Sequence, residues 1–343
     1  MTGYERIAAA MAGRMPDRVP VMLHNFMPAA REAGLTQAEY RWDARKMAEA
    51  HLRAIETYGH DGILLDVDTV TLADAVGVPI SFPEHSPAVP AGLPRLHLLE
   101  AAAELPPPDL NNHRRVQTWL EAASILVERV GTDVYVRGNC DQAPFSLASM
   151  IRSPERWMID LLTEGAEPHV EQLLEYCTDV SVRFIRLMAS TGVPMVSNGD
   201  SPAGPELISP DMYRRWALPY ERRLAAAAHE VGCLYLLHIC GDTGSILPDM
   251  LASGADGLEL DYRTDARVAR EAIGDGAAFV GNIDPSGVLA RGQAADVEAA
   301  TRELLEVFAD APRFILNAGC ALPATTPAEN VHAMIRTARE FER

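Results

Sequence analysis

The sequence predicts a single-domain α/β protein, a (β/α)8 TIM barrel, and three observations carry that prediction. Short apolar runs alternate with longer amphipathic stretches from about residue 19 to the end, and there are eight such runs. The runs are almost continuously apolar, as expected of parallel strands covered by helices on the outside. Polar residues gather where the runs end, and in a barrel those ends converge on one mouth. A doubly wound sheet shares the alternation, but it does not bring all the strand ends together.

The expected strands are Val19–Asn25, Gly62–Asp68, Asp133–Cys140, Pro194–Asp200, Leu234–Gly241, Gly257–Asp261, Ala277–Asp284 and Arg313–Cys320. Each is rich in apolar residues over strand length and closes on Asn, Asp, Gly or Cys. Helical periodicity fills the intervals at Asp43–Tyr58, Glu167–Thr191, Pro210–Val231, Gly244–Ser253, Asp296–Phe308 and Pro327–Phe341. Ser209-Pro-Asp-Met and Thr326-Pro-Ala-Glu read as helix starts, with a capping hydroxyl, a first-turn proline and an acid beyond it. Residues 82–130 contain Pro83, Pro87, Pro90, Pro94 and Pro106-Pro-Pro108, then a helix near Val116–Val130. This stretch is expected to be an insertion or lid on the domain formed by residues 1–343.

The most chemically committed run is Leu234-Tyr-Leu-Leu-His-Ile-Cys-Gly-Asp242. Side chains two apart on a strand share a face, so His238 and Cys240 project together at its C-terminal end. Cys320 closes the last apolar run in a similar way. One imidazole and two thiolates suit Zn²⁺ and leave a tetrahedral position open for a substrate. The same residues also read as a core histidine and two buried free cysteines, a common fate for both types. Spacing alone leaves both readings open.

Composition narrows the function classes. The 343 residues carry 48 acidic and 30 basic side chains, a formal charge of −18, which disfavours nucleic acid and anionic membranes as partners. No apolar run reaches membrane-spanning length. The opening Met-Thr-Gly-Tyr-Glu-Arg lacks signal-peptide character, so a cytoplasmic location is expected. Five scattered cysteines are an odd number and argue against a disulfide framework, leaving thiols free to act as ligands.

Four segments carry a resemblance: Ala143-Pro-Phe-Ser-Leu-Ala148, Ile208-Ser-Pro-Asp-Met-Tyr-Arg-Arg-Trp-Ala-Leu-Pro-Tyr220, Gly281-Asn-Ile-Asp-Pro285 and Thr326-Pro-x-Glu-Asn-Val331. Together the chain resembles the uroporphyrinogen decarboxylase superfamily, whose members are (β/α)8 barrels. The decarboxylases hold substrate carboxylates with paired arginines after the first strand, where this chain has Leu23-His24-Asn25-Phe26-Met27. They also place a histidine at the position of Cys320. His238-x-Cys240 with the distant Cys320 instead resembles the zinc-dependent, corrinoid-linked methyltransferase branch, which includes the methylcobamide:coenzyme M enzymes.

That resemblance implies a zinc ion on His238, Cys240 and Cys320, with Asp261 or Glu259 as a weaker fourth ligand. It implies cobalamin on a partner corrinoid protein and a small-molecule methyl acceptor or donor, with a homodimer left open. His24 and Asn282 are expected to contact the corrinoid or acceptor. Asp200 and Asp261 are expected to serve catalysis, orienting the acceptor or relaying its proton. Asp66, Asp68 and Asp284 are weaker candidates for the same work, and Arg137, Arg152 or Arg263 could anchor an anionic acceptor. The competing functions are a decarboxylating lyase and a non-catalytic zinc- or corrinoid-binding barrel.

Overall fold

A computed structural model describes residues 1–342. All eight expected strands form, as β1 (Met22–Leu23), β2 (Gly62–Leu65), β3 (Tyr135–Gln142), β4 (Met195–Gly199), β5 (Leu234–Ile239), β6 (Gly257–Leu260), β7 (Ala278–Ile283) and β8 (Phe314–Ala318). They pair in parallel in chain order, and a bridge between Val21 and Leu316 brings β8 back to the start of β1. The sheet therefore closes into a barrel. Most strands are shorter than the apolar runs because the polar ends leave the ladder to form the mouth, whereas β3 keeps Asn139 and Gln142 paired with β4.

Helices sheathe the barrel, one after each strand: Ala44–Tyr58, Arg114–Val130, Glu167–Ala189, Leu218–Glu230, Leu247–Leu251, Ala266–Ile273, Ala294–Val307 and Ala328–Glu340. Ser209 caps the short helix Pro210–Trp216 as expected, accepting the Met212 amide. Thr326 does not cap its helix: Pro327 takes that position, and the Thr326 hydroxyl is buried without a partner. The anticipated insertion is also shorter than residues 82–130. Arg114–Val130 is the barrel's own second helix, packed against Ala44–Tyr58. Only the stretch before it is an excursion, with a ribbon pairing Ile80–Ser81 to Val89–Pro90 and a 3-10 turn at Leu99–Glu104.

Strand alternation sorts the interior into layers. Met22, Tyr135, Met195, Leu236, Val280 and Ile315 point into the lumen and pack on Ile7 and Met11 of the helix Gly3–Met11, which plugs the bottom. Their strand neighbours, such as Leu23, Val136, Val196, Leu237 and Leu316, face outward into the main core beneath the helices. Two residues above the lumen layer lie His24, Arg137, Ser197, His238 and Asn317, so the barrel's upper interior is polar. None of the described helices is long and apolar enough to cross a membrane.

Candidate metal centre and barrel mouth

Above the apolar plug opens a cavity of about 390 Å³. His238, Cys240 and Cys320 lie on its wall, and one ligand atom from each falls within 4.8 Å of the others. His238 Nε2 is 3.0 Å from Cys240 Sγ, and Cys240 Sγ is 3.9 Å from Cys320 Sγ. Tetrahedral zinc with Zn–S bonds of about 2.3 Å separates two thiolate sulfurs by about 3.8 Å. The sulfur–sulfur distance matches that separation, while the shorter Nε2–Sγ distance is that of a hydrogen bond.

The surrounding groups fix the ligands' orientation. His238 Nδ1 lies 3.0 Å from the Glu259 carbonyl, which can only accept. In the neutral ring that leaves the lone pair on Nε2, the atom facing Cys240. The Cys240 amide donates to Ser201 Oγ, pinning the start of its loop. In the metal-free cluster, the hydrogen bond with Cys320 and the adjacent His238 lower the Cys240 thiol to about 3 despite burial. The same hydrogen bond, with burial, raises Cys320 well above the ordinary thiol value. Burial opposes charge on His238, but Cys240 and Glu259 outweigh it and lift the imidazole to about 9. The metal-free cluster thus favours a thiolate on Cys240 and a protonated Cys320.

Glu259 sits beside this cluster but is committed elsewhere. One oxygen takes Arg137 Nη2 at 2.8 Å and the other takes Asn317 Nδ2 at 2.7 Å. Burial alone would raise its acid; Arg137 and the histidines overcome that and hold it at about 2. Arg137 in turn donates to Ser197 Oγ, so it is a buried partner of Glu259 on the cavity wall, with Nη1 left without a partner among the described residues. Sequence reasoning missed this pair, although a charged residue at the lumen position of an apolar strand was its signal.

Several expected site residues are placed differently. Asp200 is fully buried and off the cavity wall, with one oxygen accepting both the amide and the hydroxyl of Ser146. Alternation explains this: Ser197 points inward on β4, so Asp200, three residues on, falls on the outer side. Asp261 accepts the Gly241 and Arg263 amides and holds the loops after β5 and β6 together. It lies outside the three-ligand cluster. Asn282 donates to the carbonyls of Asp261 and Thr264, tying the loop after β6 instead of facing the cavity.

The remaining candidates divide the same way. Asp284 caps Ser286 and Gly287, and Asp68 pairs with Arg115 and accepts the Val70 amide. Arg152 binds Asp160, and Arg263 binds Glu206. His24 does line the cavity, and its Nε2 lies 2.7 Å from Asp66 Oδ2. Phe26, Met27, Met150, Pro202 and Pro87 of the excursion supply an apolar wall.

The comparisons with known proteins agree with this architecture. The chain is 29% identical over 347 residues to a methylcobamide:CoM methyltransferase, MtbA, of Methanosarcina mazei, covering 99% of each chain. It is 30% identical to a uroporphyrinogen decarboxylase of Mycolicibacterium smegmatis, covering 93% of each. A solved methyltransferase from Methanosarcina mazei superposes with a TM-score of 0.89 at 28% identity over 99% of both chains. The family described as uroporphyrinogen decarboxylase (URO-D) matches residues 2–341, and the chain belongs to that family.

Proposed function

We propose that this chain is a zinc-dependent methyltransferase that moves a methyl group between a corrinoid on a carrier protein and a thiol or tetrahydrofolate-type acceptor. The observation that carries the reading is the convergence of His238 Nε2 and the sulfurs of Cys240 and Cys320 on an open cavity. The full-length similarity to a methylcobamide:CoM methyltransferase supports it. A decarboxylase would require free cations for substrate carboxylates. Among the described residues, the arginine on this cavity wall is Arg137, already paired with Glu259.

His238, Cys240 and Cys320 would hold the ion. A bound zinc supplies Lewis-acid chemistry that keeps an acceptor thiol deprotonated near neutral pH, where a free thiol of pKa about 8.5 is mostly protonated. Two thiolates match the ion's charge and the neutral imidazole adds none. The Glu259 carbonyl holds that imidazole in its ligating tautomer, and Arg137 with Asn317 holds Glu259. Phe26, Met27 and Met150 give the cavity an apolar wall beside the three ligands. The methyl donor approaches from the mouth, the side on which the excursion carries Pro87.

The test is an anaerobic absorbance assay of methylcobalamin with the zinc-loaded protein and a panel of 2-mercaptoethanol, homocysteine, coenzyme M and tetrahydrofolate. Acceptor-dependent loss of the methylcobalamin spectrum is expected. A zinc-loaded protein that demethylates nothing in the panel, with or without its corrinoid carrier, would contradict the reading.

A further inference from the structure

Outside the three-ligand cluster the cavity contains a second constellation, formed by His24 and Asp66. His24 follows β1 and Asp66 follows β2, so the barrel sets them side by side at the mouth. His24 Nε2 and Asp66 Oδ2 are 2.7 Å apart, and both residues line the cavity. The other Asp66 oxygen accepts the Val67 amide and Asn139 Nδ2. The Tyr40 hydroxyl holds the Asp66 carbonyl from behind.

The His24 backbone is fixed as well. Its amide donates to Asn317 Oδ1, and its carbonyl accepts the amide of Leu322, two residues beyond Cys320. The loop carrying Cys320 is therefore tied to His24. Asp66 can only accept, so Nε2 carries the hydrogen and the lone pair lies on Nδ1. Among the described residues, Nδ1 has no hydrogen-bond partner, and it is not among the sealed polar atoms of the interior.

We infer that His24, oriented by Asp66, is the base that takes the proton of an acceptor thiol; the inference rests on the methyl-transfer reading above. The S–H bond breaks, sulfur keeps the electron pair, and the proton passes to His24 Nδ1. Asp66 offsets the charge of the resulting imidazolium, as a buried carboxylate does in other carboxylate–histidine pairs. The other ionisable groups around the cavity are already engaged: Asp68 with Arg115, Glu259 with Arg137, and Cys240 with both His238 and Cys320. His51 is behind the wall, bonded to Tyr40. His24 is left as the uncommitted base.

The experiment is calorimetric titration of the zinc-loaded protein with 2-mercaptoethanol at pH about 7.5, between the ordinary imidazole and thiol values. Two buffers of different ionisation heat report the protons released on binding. The wild type is expected to retain the thiol proton, whereas His24→Gln passes it to the buffer. Turnover in this variant falls about 10²- to 10⁴-fold, the usual weight of a general base, with zinc content unchanged. Asp66→Asn keeps the ring but removes the counter-charge, so it should also release the proton. It serves if the first variant fails to fold. Equal proton release from wild type and both variants would overturn the inference while leaving the methyl-transfer reading intact. A wild type that binds no acceptor thiol would overturn both.

Discussion

Arg137 and Glu259 show how much of this site depends on single side chains. Both are sealed in the lumen between the apolar plug and the mouth. Removing one partner of a buried pair strands the other charge, which costs about 3–5 kcal/mol. Glu259→Ala is therefore expected to lower the urea unfolding free energy by that amount and also to loosen His238. Glu259→Gln, which keeps an acceptor for Arg137, should cost less. His60 provides a separate test in acid. Burial, then His51 and Arg339, lower its imidazole to about 3, and burial brings His51 to about 4. Both folded values lie below the unfolded value of about 6.5, so the unfolded chain binds more protons in this window. Stability is fully present above about pH 6.5 and falls as pH drops toward 3, by up to about 1.4 kcal/mol per unit for each histidine. His60→Leu should remove its share of that slope in urea titrations run across pH.

At the scale of elements, alternation along a strand separates what the sequence could disclose from what it could not. It correctly put His238 and Cys240 on one face, since both lie on or just past β5 where the period of two holds. Asp200 lies just past β4, and counting inward-facing residues from Met195 puts it on the outer face, where it holds Ser146. Asp200→Ala strands those donors and should cost about 1–3 kcal/mol in unfolding free energy without changing zinc content. Zinc loss in that variant would restore Asp200 to the site. Asp261 and Asn282 are turned toward backbone groups for another reason. They lie at or just past the C-terminal ends of strands, where a carboxylate or amide is spent on backbone groups as far as 18 to 21 positions away, which sequence periodicity does not encode. The Thr326 start failed by one residue because Pro327 itself took the cap position.

For the molecule as a whole, the alternation of apolar runs made the barrel legible, because each run had to be buried on both faces. The extent of the excursion was not legible, because the helical pattern of Arg114–Val130 looks the same in an insertion as in the barrel sheath. Arg41 anchors the excursion, donating to the carbonyls of Pro83 and Ser86. Arg41→Ala should speed limited proteolysis within residues 82–104 and raise the acceptor KM, since Pro87 would leave the cavity wall; peptide mapping and steady-state kinetics read the two effects. The central claim is that a closed barrel brings Cys320 to the neighbouring pair His238 and Cys240 as a zinc site open to a substrate. Elemental analysis of the protein purified under reducing conditions, beside Cys240→Ser and Cys320→Ser, tests it most directly. The expected result is one zinc per wild-type chain with loss in both variants. A folded wild type that neither contains nor takes up zinc, or variants that keep it in full, would contradict the claim.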